Sequence, residues 1–103
     1  MVQKTIAGKN VEVNDEGYMT TPSEWNREIG TALAGELGIT MTDKHWEVVD
    51  YLRNSFNEGV ALSLRKVGNS GIVDIKGLYA LFPGGPLKKS ALIAGIPKPA
   101  SCV

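Results

Sequence analysis

T-D-K-H-W-E-V-V-D-Y-L-R-N-S-F-N-E-G, residues 42–59, carries the strongest helical pattern in the chain. Its apolar side chains recur at three- and four-residue spacing, which is typical of one helix face. That face comprises Trp46, Val49, Leu52 and Phe56, with Tyr51 at its flank. Thr42 or Thr40 can cap the helix, and Gly59 can end it. The negative charge of Asp43 in the first turn interacts favourably with the helix dipole. This segment predicts an amphipathic helix packed on a core.

Upstream of this helix, the chain predicts a β-hairpin and a first helix. Residues 4–13, K-T-I-A-G-K-N-V-E-V, place apolar side chains on either side of Gly8-Lys9-Asn10, as in a short hairpin. Thr21-Pro22-Ser23-Glu24 has the pattern of a capping box with proline at the first helical position, so we expect a helix to begin there. Gly38 can end this helix. Its apolar face comprises Trp25, Ile29, Ala32, Leu33 and Leu37.

Downstream, two short helices resemble a helix-turn-helix. The first contains Leu62, Leu64 and Val67 and ends in Gly68-Asn69-Ser70-Gly71. Asp74 can cap the second. The inward-facing residues of the second helix are expected to be Ile75, Leu78, Tyr79, Leu81 and Phe82.

A fifth helix and a C-terminal arm complete the chain. Pro86 can begin the helix, which runs to about Ala94 and ends at Gly95. The remaining I-P-K-P-A-S-C-V contains two prolines that favour extended polyproline geometry. At about 3.1 Å per residue this segment reaches roughly 25 Å, far enough to carry Cys102 beyond the domain surface. We therefore predict a helical domain, residues 1–95, and a flexible arm, residues 96–103.

Length, composition and charge limit the fold class and the function. A chain of 103 residues, 43% hydrophobic and 21% charged, has the size and composition of one folded domain. We predict a mainly α fold, a small orthogonal helical bundle with a helix-turn-helix, an N-terminal β-hairpin and a mobile C-terminal arm. Equal counts of 11 Lys+Arg and 11 Asp+Glu disfavour general binding to nucleic acid or to an anionic membrane. No apolar run is of membrane-spanning or signal-peptide type, so we expect a cytoplasmic protein.

Metal and cofactor sites are not expected. One cysteine and one histidine are too few for a His/Cys zinc site, and neither G-x-x-x-x-G-K-[ST] nor G-x-G-x-x-G occurs. His45 can act as a general base, but no nucleophile lies near it in the sequence, and we interpret it as a surface or capping residue.

The charges divide between the two halves of the chain. Acidic residues crowd the first half: Glu12, Asp15, Glu16, Glu24, Glu28 and Glu36. Basic residues occupy the second: Arg65, Lys66, Lys76, Lys88, Lys89 and Lys98. Two interpretations remain open, a basic face for a negatively charged partner and an ordinary solvated surface.

Cys102 is the residue with the clearest capacity for chemistry. Thiol chemistry proceeds through the thiolate, and the nearby terminal carboxylate disfavours that form. A docking partner would therefore have to activate the thiol, which suits a carrier. The alternative is an incidental cysteine in a disordered terminus.

Four segments carry a family resemblance over nearly the whole chain. They are D-E-G-Y (15–18), H-W-E-V-V-D-Y-L-R (45–53), L-Y-A-L-F-P-G-G-P (78–86) and I-A-G-I-P-K-P-A-S-C-V (93–103). In this order they resemble the DsrC/TusE family of sulfur-carrier proteins. The resemblance implies a small helical domain with an N-terminal hairpin and a mobile arm whose penultimate cysteine receives sulfur as a persulfide. On that basis Cys102 bears the sulfur, and Arg65 matches an arginine of the family's third-helix region.

Two branches of the family remain open. Members that serve dissimilatory sulfite reductase carry a second arm cysteine eleven residues before the last, where this chain has Ala91. A single thiol cannot form an intramolecular disulfide or trisulfide, and it suits TusE-like members that act in a relay toward 2-thiouridine in tRNA. The compact connection from Gly59 to Tyr79 is instead more similar to the sulfite-reductase branch.

Our leading hypothesis is a sulfurtransferase-type carrier that accepts a persulfide sulfur from a donor protein and passes it to an acceptor protein. In this hypothesis Gly95 is a hinge, Pro97 and Pro99 stiffen the arm, and Lys98 guides Cys102 into the partner. One alternative is a DsrC-like partner of a sulfite reductase. Another is a regulatory DNA reader that uses the helix-turn-helix, which the neutral charge disfavours.

Overall fold

The computed structural model describes residues 2–99. Over this range the chain forms a two-stranded hairpin followed by five helices, which confirms the predicted mainly α fold with an N-terminal β-hairpin. The elements are β1 (Val2–Ile6), β2 (Lys9–Val13), a 3₁₀ turn (Pro22–Glu24), α1 (Arg27–Glu36), α2 (Asp43–Asn57), α3 (Leu64–Gly68), α4 (Ile75–Leu81) and α5 (Pro86–Ile93). None of these helices is long and apolar enough to cross a membrane.

The hairpin turn lies earlier than the sequence predicts. β1 and β2 pair antiparallel, with Ile6 opposite Lys9 and Val2 opposite Val13. The turn is therefore Ala7-Gly8, with φ values of 51° and 79°. A two-residue hairpin turn of type I′ needs positive φ at both positions, which glycine meets without strain. Lys9 is already paired in β2, so the prediction of a turn at Gly8-Lys9-Asn10 is wrong.

The start of α1 also differs from the prediction. The predicted capping box makes no side-chain cap hydrogen bond, and Pro22–Glu24 forms only one 3₁₀ turn. Trp25 then returns to extended backbone, with φ −77° and ψ 146°. Asn26 is the N-cap, because its side-chain oxygen accepts from the Ile29 N–H at 2.9 Å. The helix begins at Arg27, which leaves Trp25 outside it.

Three helices end in one motif, at the glycines that the sequence predicts. Gly38, Gly59 and Gly95 follow α1, α2 and α5 with φ values of 74°, 73° and 69°. In each case the next residue donates its N–H back into the last helical turn; in α5, Ile96 donates to the Ala91 carbonyl at 3.3 Å. This Schellman motif needs a left-handed residue, so glycine at these positions fixes where the helices stop.

One core joins all the elements, and a few apolar residues lie outside it. Its side chains include Ile6, Val11, Ile29, Leu33, Val48, Leu52, Val67, Leu78, Phe82, Leu87, Ile93 and Ile96. The expectation that Ile75 and Tyr79 face inward is wrong, since they are 40% and 45% exposed. The seven-residue α4 buries the helix face that contains Leu78. Ile75 and Tyr79, four residues apart, lie together on a neighbouring face. Phe56, expected on the buried face of α2, is 39% exposed.

His45 is a buried capping residue. Its Nδ1 accepts from the backbone N–H of Thr42 at 3.0 Å, and its Nε2 donates to the Leu81 carbonyl at 2.9 Å. The side chain is 5% exposed, so the capping interpretation is confirmed and the surface interpretation is wrong. Thr42, rather than Thr40, is the N-cap of α2. Because both ring nitrogens are engaged, His45 is not placed to act as a general base.

Candidate functional site

The predicted sulfur-bearing residue, Cys102, lies outside the described residues. The structure does describe the end of α5 and the first part of the arm, residues 93–99, which we call the arm root. Its geometry determines how the chain leaves the helical domain.

The arm root begins with a fixed turn. Gly95 donates its N–H to the Leu92 carbonyl at 3.2 Å. A Cβ placed on Gly95 would lie 2.6 Å from Cγ of Trp25, so the indole packs directly against this glycine. Ile96, which the sequence assigns to the arm, is 1% exposed and belongs to the core. The proposed role of Gly95 as a hinge stays a prediction. In the structure, Gly95 is part of a hydrogen-bonded helix end.

Two side chains hold the carbonyl groups of the arm root. The indole Nε1 of Trp25 donates to the Ile93 carbonyl at 2.7 Å. The guanidinium of Arg53 donates through Nη1 to the Ala94 carbonyl at 2.7 Å and through Nη2 to the Pro22 carbonyl at 3.1 Å. Arg53 also stacks on Trp25, with Cζ 4.3 Å from the ring centroid. We call this pair the Trp25–Arg53 clamp; it joins the segment before α1, the middle of α2 and the end of α5.

The charge of Arg53 suits this position. Burial lowers the pKa of its guanidinium from the ordinary value, and the neighbouring Asp50 carboxylate opposes that shift. Arginine remains a cation at neutral pH, and a cation at a helix C-terminus is stabilised by the unpaired carbonyl dipoles there. Arg53 therefore satisfies two carbonyls and complements the dipole of α5.

Sequence reasoning missed the clamp. The helical pattern predicts Trp25 on the face of the first helix. Arg53 is only one residue of the segment H-W-E-V-V-D-Y-L-R, and the pattern indicates no role for it. The contacts of these residues with Ile93 and Ala94 span 68 and 41 residues. Neither helical periodicity nor charge pattern indicates contacts at such separations.

The rest of the arm root packs on the domain and forms one wall of a groove. Residues 97–99 line a groove of about 210 Å³ together with Phe56, Val60, Ala61, Leu62 and Ile96. Pro97 and Lys98 are exposed and Pro99 is buried. The Nζ of Lys98 lies 2.9 Å from Oε2 of Glu16. The first part of the predicted arm thus packs on the domain, and the predicted mobility of the arm stays a prediction.

Of the predicted partner-binding residues, Arg65 stands apart. Gly95, Pro97, Lys98 and Pro99 all belong to the arm root, whereas Arg65 is exposed on α3. Arg65 is not among the residues that line the groove beside the arm.

The chain is similar to known proteins over its full length. Residues 5–103 match the family model described as "DsrC like protein". This chain belongs to the DsrC-like family. Sulfurtransferase TusE of Escherichia coli (strain K12) is 38% identical over 93% of this chain and 95% of the relative. Sulfurtransferase TusE of Photorhabdus laumondii is 34% identical over 100% of both chains.

A solved structure of the DsrC-like family agrees in fold. The oxidized gamma-subunit of the dissimilatory sulfite reductase (DsrC) from Archaeoglobus fulgidus superposes with a TM-score of 0.84 and 32% identity. The match covers 99% of this chain and 100% of that chain. The resemblance inferred from the four sequence segments is therefore confirmed.

Ala91 is fully buried in this DsrC-like protein. It lies in α5, is 0% exposed, and accepts the Ile96 N–H that closes the Schellman turn. The residue at which the sequence departs from the two-cysteine pattern is therefore part of the core.

Proposed function

We propose that this DsrC-like protein is a TusE-like sulfur-relay carrier that accepts and hands on one sulfane sulfur at Cys102. The observation that carries the proposal is the full-length similarity to proteins named sulfurtransferase TusE, at 34% and 38% identity, in a chain whose single cysteine is penultimate. The arm root supports it, because Ile96 anchors the arm in the core and a proline-containing segment follows directly.

The proposed transfer is a thiol–persulfide exchange. The Cys102 thiolate attacks the outer sulfur of a donor persulfide, R–S–SH, and forms a new S–S bond. The donor S–S bond breaks, and its electron pair leaves on the donor thiolate, R–S⁻. The products are Cys102–S–SH and R–S⁻, with no net oxidation or reduction. The same exchange with an acceptor thiolate unloads the carrier.

We propose that residues 97–99 detach from the domain when the carrier docks on a partner. The Lys98–Glu16 pair resists this only weakly, because the two side chains are 35% and 57% exposed and pairs of this kind contribute about 0–1 kcal/mol. We propose that Pro97 and Pro99 keep the released segment extended and that Lys98 exchanges Glu16 for an acidic group of the partner. Arg65, exposed on α3, is proposed to contact the same partner.

The partners are proposed to be a persulfide donor protein and an acceptor protein of a sulfur relay. We assign the acceptor branch to 2-thiouridine formation in tRNA, because one thiol suffices for handing on a single sulfur. The cytoplasmic location stays a prediction.

Mass spectrometry tests the sulfur-carrying step. The purified chain is incubated with cysteine persulfide, and we expect an adduct of about 32 Da, the mass of one sulfur atom. The adduct should disappear in Cys102→Ser and persist in the neighbouring control Ser101→Ala. Absence of the adduct from the wild-type chain, or an equal adduct on Cys102→Ser, would contradict the proposal.

A second candidate is a partner of a sulfite reductase. It is favoured by the superposition on the gamma-subunit of the Archaeoglobus fulgidus enzyme, in which the two chains are covered almost completely. Two experiments separate the candidates. A tRNA-relay carrier should restore 2-thiouridine in an Escherichia coli strain that lacks its own TusE, whereas the second candidate should co-purify with a sirohaem enzyme from its native cells.

A further inference from the structure

We propose that Trp25 and Arg53 are positioning residues for sulfur transfer, which set the direction in which the arm leaves the domain. This inference rests on the proposed function and deepens it. Both side chains act through the arm root, and neither is expected to touch the sulfur.

The first argument is what the clamp binds. Its hydrogen bonds go to main-chain carbonyls, two of which, those of Ile93 and Ala94, belong to the last turn of α5 immediately before the arm. The last carbonyls of a helix have no partner within the helix and are commonly left to water. Here a fork-shaped guanidinium and an indole N–H hold two consecutive ones. The direction of the helix end is therefore fixed by two further parts of the chain.

The second argument is the confinement of the Trp25 ring. A Cβ on Gly30 of α1 would lie 2.8 Å from Cζ2 of Trp25, and a Cβ on Gly95 would lie 2.6 Å from its Cγ. The indole therefore occupies a slot between two glycines, with the Arg53 guanidinium stacked on its ring. A side chain enclosed in this way has few alternative rotamers, so it transmits the position of α1 to the arm root.

The third argument is a comparison within the molecule. A second arginine stacks on a second tryptophan, with Cζ of Arg27 4.8 Å from the Trp46 ring centroid. The guanidinium of Arg27 is directed to the Asp50 carboxylate at 3.4 Å and not to the arm root. The two pairs share their chemistry and differ in whether they hold the α5 carbonyls. Trp46 also packs edge to face on Trp25, with ring centroids 6.4 Å apart, so Arg27 is the independent control. Trp46→Phe, which keeps an aromatic ring against Trp25, serves as the second control.

Positioning matters for a transfer between two proteins. Reacting atoms must approach within about 3.5 Å in the correct orientation, and a misplacement of about 1 Å can lower the rate about 100-fold. A small persulfide finds the thiol in any arm orientation, whereas a partner protein requires one. The clamp should therefore affect transfer with a protein and leave loading by a small molecule unchanged.

The first test measures amide hydrogen exchange in Trp25→Phe and Arg53→Lys. Each variant removes a hydrogen bond to the α5 end while it keeps an aromatic ring or a positive charge. We expect exchange at the Gly95 and Ile96 amides to accelerate about five- to tenfold. The Gly38 and Ile39 amides occupy the same Schellman motif at the end of α1 and should exchange at the wild-type rate. Trp46→Phe and Arg27→Lys should leave both pairs unchanged.

The second test measures sulfur transfer in the same four variants. Each is loaded with cysteine persulfide, and each is expressed in the Escherichia coli strain that lacks TusE, where 2-thiouridine in tRNA is quantified. We expect all four to load like the wild-type chain. Trp25→Phe and Arg53→Lys should restore less than about a tenth of the wild-type 2-thiouridine at equal protein level, and the two controls should restore it fully.

The outcomes separate the inference from the proposed function. A wild-type chain that does not load overturns the carrier function, and one that loads without restoring 2-thiouridine overturns the tRNA branch. If the wild-type chain restores 2-thiouridine and the clamp variants restore it equally, the positioning role is wrong. Exchange that accelerates equally at Gly38 and Gly95, or at neither, overturns the clamp independently of any sulfur chemistry.

Discussion

Gly95 has less room than the other glycines that end helices. A Cβ at Gly59 meets no atom within 4 Å, whereas one at Gly95 would overlap the Trp25 ring. Both glycines have φ near 70°, so the backbone strain of alanine is the same at the two positions.

This difference gives the first prediction. Gly59→Ala should lower the free energy of unfolding by about 1–2 kcal/mol, the usual strain of a left-handed residue. Gly95→Ala should lower it by a further 1–3 kcal/mol or so, because the methyl group displaces the indole. Urea denaturation of both variants measures the difference. Equal losses would mean that Trp25 moves aside without resistance.

His45 supports the second prediction. His45→Ala should lower the free energy of unfolding by about 2–3 kcal/mol, since it deprives the Thr42 N–H and the Leu81 carbonyl of their partner. Glutamine has an amide oxygen and an amide N–H, and it is a natural third residue of a capping box. His45→Gln should therefore lose less than His45→Ala in thermal unfolding. The His45 ring also packs edge to face on Phe82, with centroids 5.1 Å apart, and an equally large loss in the glutamine variant would assign the effect to that packing.

Element ends that depend on one residue could be predicted from the sequence. Asp74 caps α4 through its side chain, Pro86 begins α5, and the glycines at 38, 59 and 95 end their helices. Each of these signals is local, because a cap or a positive φ concerns neighbouring backbone groups. The start of α1 was predicted too early, because the side chain of Asn26 caps the helix and the capping-box pattern at Thr21 makes no side-chain cap hydrogen bond.

The orientation of α4 gives the third prediction. Leu78→Ala should lower the free energy of unfolding by about 2–5 kcal/mol, because Leu78 is fully buried. Tyr79→Ser, one residue later, should change it by less than about 0.5 kcal/mol, because that side chain is 45% exposed. Chemical denaturation of the two variants measures how much each helix face contributes to the free energy of unfolding. A large loss of stability in Tyr79→Ser would mean that Tyr79 faces inward, as the sequence pattern predicts.

For the fold as a whole, the sequence predicted the order of the elements and the position of the arm. It could not indicate which side chains meet across the fold. The clamp forms because Trp25 lies outside α1 and because the middle of α2 lies close to the end of α5. Both conditions depend on packing, so the candidate site was predicted as a set of arm residues without the side chains that hold them.

The boundary between domain and arm gives the fourth prediction. A chain that ends at Pro99 should be more stable in urea denaturation than one that ends at Gly95, because it keeps Ile96 in the core and the Lys98–Glu16 pair. A chain that ends at Gly95 should be less stable by at least about 1.5–3 kcal/mol, the contribution of one buried isoleucine side chain. Only the chain with Cys102 should accept sulfur. Equal stability of the two shortened chains would place the true boundary before Ile96.

The burial of Ile96 has a consequence for the intact cell. Because every residue of the described core precedes Pro97, a protease that trims the residues after Pro99 would leave that core in place and remove the sulfhydryl. On the proposed function, the trimmed chain would still occupy the docking surface of a partner and deliver nothing. Clipping would thereby convert the carrier into its own competitive antagonist.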